Sequence, residues 1–177
     1  EEIPEEAYGE IQSALLESAR GEKEARVRGR ALEALGWSSN PEVVELIESA
    51  FDGNIDWKVS ALTAMGRSAD DRWEDRVLRS MLDDNEKIRK AAVQGAGMLG
   101  FKSARLPLLR MLESEEDGDV IGAAIWSLSQ IGGEDVQTYL ETLLDQTEDE
   151  EMIAFIEEAL DNLAFTEDLD RFDLLSF

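Results

Sequence analysis

A ten-residue pattern recurs five times along this chain and constrains its fold more than any other feature. VRGRALEALG begins at Val27, WKVSALTAMG at Trp57, IRKAAVQGAG at Ile88, VIGAAIWSLS at Val120 and MIAFIEEALD at Met152, at intervals of 30, 31, 32 and 32 residues. Self-similarity at a period of roughly 20–50 residues marks a stacked-repeat architecture. The first position of each unit is large and apolar. The fifth is Ala31, Ala61, Ala92, Ala124 and then Ile156; the eighth is Ala34, Ala64, Gly95, Ser127 and Ala159. Small residues three apart on one helix face let neighbouring helices approach closely.

Three residues before each unit stand Glu24, Asn54, Asn85, Asp117 and Asp149. Asn and Asp there suit an N-cap, accepting hydrogen bonds from first-turn N–H groups. A first helix precedes each unit, at about 5–20, 41–52, 71–84, 103–114 and 134–147, and Pro41 after Asn40 reads as an N1 proline. Apolar residues such as Val43, Val44, Ile47, Ala50 and Phe51 recur at helical spacing, and no stretch alternates as a strand would. The chain is therefore predicted all-helical, in five hairpins that must stack because one hairpin cannot bury both its faces.

Composition removes whole classes of chemistry. The 177 residues contain no Cys and no His, which excludes disulfides, thiolate metal sites, a Cys nucleophile and every imidazole base or ligand. With 17 Lys+Arg against 41 Asp+Glu the net charge is -24, so a nucleic-acid backbone or an anionic membrane is repelled. No run of 18 apolar residues suggests a membrane span and no signal peptide leads the chain, which suits a cytoplasmic protein. The Lys-poor, acid-rich balance also suits a salt-adapted organism. Acid pairs such as Asp83–Asp84 fall in predicted turns, where solvated carboxyls titrate normally and do not mark a catalytic pair. The segments DGNID at 52–56 and EEDGD at 115–119 gather oxygens but lack the twelve-residue calcium loop with its terminal Glu.

The segments EARVRGRALEALG at 24–36, NIDWKVSALTAMG at 54–66 and NEKIRKAAVQGAGMLG at 85–100 resemble the second helix of the HEAT repeat in its short bacterial form, the HEAT-like repeats named after phycocyanobilin lyases. The resemblance spans about residues 5–163. It implies a right-handed α-solenoid, with repeats at about 5–36, 41–66, 71–100, 103–132 and 134–163, the whole of 1–177 forming one repeat domain. Phe165, Leu169 and Phe172 are spaced as a helical stripe, so 165–177 reads as a short closing helix, or as the start of a further repeat. The resemblance also implies a ladder in which the basic residue at position two, here Arg28, Lys58 and Arg89, pairs with cap acids of neighbouring repeats. Ile121 and Ile153 end it.

On function, the resemblance implies a non-enzymatic interaction scaffold with no cofactor, binding a protein or peptide on the concave face lined by second helices. A ligand-presenting module of the bilin-lyase type stays open as the alternative. The candidate binding residues on that face are Thr63, Lys90, Gln94, Trp126 and Gln130, with Glu158 on the rim. Gly97 and Gly122 nearby would leave room for a ligand to approach the backbone. Trp126 reads either as an interface anchor or as core; Trp57 and Trp73 read as packing. Charge is lopsided: residues 1–110 hold 16 basic and 21 acidic side chains, residues 111–177 hold 1 and 20. The acidic third suits a basic partner or a solubilising end. Arg72, Arg76 and Arg79 form a stripe expected to pair with Asp71, Asp75 and Asp83.

Overall fold

The computed structural model describes the backbone of residues 5–174 and the side chains of residues 7–165. Ten α-helices follow one another: α1 (Glu5–Gly21), α2 (Ala25–Ala34), α3 (Pro41–Phe51), α4 (Ile55–Gly66), α5 (Glu74–Ser80), α6 (Glu86–Leu99), α7 (Arg105–Leu112), α8 (Gly118–Ile131), α9 (Glu134–Gln146) and α10 (Glu150–Leu174). Short 3-10 turns lead into α5 and α7, and no strand occurs among the described residues. Odd and even helices pair as five hairpins, and each even helix also packs on the next even one. The result is an α-solenoid.

The caps form where the sequence places them. Asn54 accepts from the Trp57 N–H at 3.0 Å, Asp117 from the Val120 N–H at 3.0 Å and Asp149 from the Met152 N–H at 2.8 Å. Asn40 and Asn85 bond the N–H two residues on instead, and Glu24 makes no such bond. α6 stops at Gly100, whose φ of 64° is left-handed backbone that glycine adopts without strain; the Phe101 N–H then reaches back to the Ala96 carbonyl.

One core cluster runs through all five hairpins. Leu32, Leu62, Val93, Ile125 and Ile156 are fully buried along the even helices; Val43, Val77, Leu108 and Val136 come from the odd ones. The small positions bring the even helices together. A Cβ added at Gly66 would lie 2.9 Å from the Gly95 Cα, and one at Gly97 would lie 2.8 Å from the Ser127 Cα. Gly97 is thus consumed by helix packing and leaves no room for a ligand, contrary to the reading from sequence; at Gly122 a Cβ would meet only Phe155, at 3.8 Å. Adjacent even helices pack more extensively on one another than adjacent odd helices do.

Two boundaries differ from expectation. α5 ends at Ser80, short of 84, because Asp83 is drawn out of the helix by Lys58 Nζ at 2.8 Å and by its own turn bond to the Asn85 N–H. No separate closing helix forms: α10 runs unbroken through 165, since no glycine or proline interrupts Asn162–Phe165. Phe165 is exposed, and the packing expected of Leu169 and Phe172 lies outside the described side chains.

The ladder has two rungs. Lys58 bonds Asp83 in the next hairpin's turn, and Arg89 grips Glu115 through Nε and Nη2, both at 2.8 Å. Arg89 Nη1 also donates to the carbonyls of Asp83 and Asp84. Arg28 departs from the pattern. It donates to the carbonyls of Glu22 and Lys23, and its guanidinium lies 5.9 Å from the ring of Trp57, the one aromatic at a first position. Of the expected stripe pairs only Arg79–Asp75 forms, at 3.8 Å; Arg72 turns to Asp70 and Arg76 to Glu48.

Candidate functional site

Trp126 lies on the face made by the even helices. It is half-buried and stands outside the core cluster, whereas Trp73 lies within it and Trp57 packs against it. Its neighbour Phe155, on α10, rests on the core. The two rings separate two depressions. One, of about 370 Å³, is lined by Lys90, Gln94 and Met98 from α6 and by Asp119 and Gly122 from α8. The other, of about 480 Å³, is lined by Ser129 and Gln130 from α8 and by Glu158, Asp161 and Asn162 from α10.

Four of the other five side chains singled out from sequence, Lys90, Gln94, Gln130 and Glu158, therefore meet around Trp126. Thr63 does not: it lies on α4, lines neither depression, and its hydroxyl donates to the Val59 carbonyl at 3.0 Å. Phe155 was missed. The repeat register assigns it position four, which is buried as Ser60, Ala91 and Ala123 in the three preceding repeats. In α10 the small fifth residue is replaced by Ile156, which is itself fully buried, and Phe155 is left at the surface beside Trp126. The substitution of isoleucine for alanine was the available signal.

Polar groups around the rings are held in place. Lys90 Nζ pairs with Asp119 at 2.7 Å across α6 and α8. The Ser129 hydroxyl donates to the Trp126 carbonyl at 2.7 Å, and accepts from Gln130 Nε2 at 3.3 Å and from Asn162 Nδ2 at 3.2 Å. This chain of bonds joins α8 to α10 beneath the second depression. Glu158 and Asp161 are exposed above it. The arrangement offers an apolar centre with a polar, largely acidic rim. No cluster of metal-ligating residues occurs among the described residues. Among the described residues no helix is long and apolar enough to cross a membrane.

Comparison with known proteins agrees with the repeat architecture. The family model for HEAT repeats matches residues 75–161. Over 148 residues, 78% of this chain, the sequence is 26% identical to a HEAT repeat-containing taxis protein of Halobacterium salinarum. The matched stretch spans 36% of that relative, so the chain covers about a third of its length. Stacked hairpins, small-residue contacts between even helices and these matches together make residues 75–161 similar to HEAT repeats, within a chain whose architecture is that of an α-solenoid.

Proposed function

We propose that this chain is a non-enzymatic scaffold that holds a protein or peptide partner on its concave, even-helix face, with Trp126 as anchor. One observation carries the reading: a half-buried tryptophan outside the core, flanked by two depressions and ringed by Lys90, Gln94, Gln130 and Glu158. An aromatic in such a setting loses much of its remaining surface on binding, and surrounding polar contacts exclude water. HEAT repeats generally serve as interaction scaffolds, which supports a protein partner. The relative's own role in taxis makes taxis signalling proteins the first partners to test. A ligand-presenting role would call for an enclosed apolar cavity; the depressions beside Trp126 are rimmed by charged groups.

The test uses a random peptide display library selected on the intact chain. Binders should compete with one another and lose at least about 30-fold in affinity on Trp126→Ala, equivalent to ~2 kcal/mol. Glu158→Gln should mainly alter the association rate and its salt dependence. Binders indifferent to Trp126→Ala, or a Trp126→Ala chain that has lost its helical structure, would remove Trp126 from the binding surface.

A further inference from the structure

A second surface lies between the odd helices of hairpins three and four. α5 stops at Ser80, the chain turns early through Met81 and Leu82, and α7 lies across a groove from α5. The groove between them has a volume of about 740 Å³. Leu78, Met81 and Met111 floor it, Pro107 forms part of a wall, and Leu82 stands at its edge 80% exposed. A lone exposed leucine is unexceptional; one beside an apolar groove of this size extends a continuous surface.

The charges along the groove divide into spent and free. Asp83 is held by Lys58, and Glu115 by Arg89. Arg79 donates from Nε to the Asp75 carbonyl at 3.0 Å but reaches that residue's carboxylate only at 3.8 Å, and Arg110 makes no ion pair among the described residues. Both are exposed. Only Asp84 opposes them as a free acid lining the groove. In a chain of net charge -24, this apolar groove is bordered by the exposed guanidinium groups of Arg79 and Arg110.

We propose that the groove between α5 and α7 docks an acidic amphipathic segment of a protein partner. Large apolar side chains one helical turn apart would cover Leu78, Leu82 and Met111, and carboxylates beside them would meet Arg79 and Arg110. Apolar burial supplies the attraction, while the planar guanidinium forks fix orientation and select the sign of charge. This surface is independent of Trp126.

Two labelled helical peptides of about fourteen residues serve as probes. One carries leucines on a single face with flanking glutamates; the other has every glutamate replaced by lysine. In about 0.3 M salt, where repulsion from the rest of the chain is screened, the chain should bind the acidic peptide saturably and at least about 10-fold more tightly than the basic one. Leu82→Glu should weaken that binding at least about 10-fold, and Arg79→Glu combined with Arg110→Glu should reverse the preference. Trp126→Ala should leave it unchanged. The groove side chains replaced are all exposed, so circular dichroism should match the parent. Absence of saturable binding up to about 1 mM overturns the proposal, as does equal affinity for both peptides or full affinity in the Leu82→Glu chain. So does loss of binding in the Trp126→Ala chain, or a Leu82-dependent dimer in sedimentation of the chain alone, which would assign the groove to a second copy.

Discussion

Glu115 shows what a single side chain contributes to the stack. The hydrogen bonds from Arg89 hold its carboxyl below the ordinary glutamate value, aided by the Asp117 and Glu116 N–H groups and opposed by burial. Lys58 does the same first of all for Asp83, and the Asn85 N–H adds to it. A depressed carboxyl stabilises the fold above its unfolded value and loses that contribution as pH falls through its folded value. Glu115→Gln should therefore lower stability by about 1–3 kcal/mol at neutral pH. Urea titrations from pH 7 to pH 2.5 should show that gap constant down to about pH 5 and closing below it. A gap that persists unchanged at pH 2.5 would show that the pair acts through packing and not through charge. The basic half of the two rungs was legible in the sequence because Lys58 and Arg89 repeat one position; their partners are not the cap residues expected but Asp83 and Glu115, each two residues before a cap. Arg28 was not, although Asp52 occupies the same place. Pairing by position ignores the aromatic competitor: Trp57 offers the guanidinium a ring face.

Between helices, the absence of a side chain decides the spacing. A methyl at Gly66 would press on the Gly95 backbone, which cannot swing aside. Gly66→Ala should cost about 1–3 kcal/mol through forced separation of α4 and α6. Gly9 in α1 meets nothing within 4 Å, so Gly9→Ala should instead stabilise by about 0.5–1 kcal/mol through helix propensity. Paired thermal melts check both signs. The helices themselves, their caps and the small-residue seam were readable from period and composition because each recurs, and recurrence averages out local accident. What did not recur was misread. The closing helix needed a break after Asn162 that no residue supplies, and Phe155 stands at a position that is small in the three preceding repeats. Both lie in the last hairpin, where no following repeat enforces the shared register.

Taken whole, the chain is a row of units each touching its neighbours, carrying most of its excess charge at one end. Repulsion among the acids of the last two hairpins opposes their stacking and is screened by salt. Raising NaCl from about 0.05 M to 1 M should raise Tm by roughly 5 °C or more. Hydrogen exchange should localise the gain to α9 and α10. Equal protection gains in α1–α4 would contradict this assignment. The same row has a mechanical sense. At Gly66–Gly95 and Gly97–Ser127 the even helices are already as close as atoms allow, while a groove of about 740 Å³ separates residues of α5 and α7 on the other side. Compressing the arc further meets hard repulsion; straightening it meets only the gradual loss of dispersion contacts. The molecule is thus a spring with a stop: it yields when pulled open and is stiff when pushed shut, so a partner wider than the resting curve is accommodated by elastic opening and a narrower one is not.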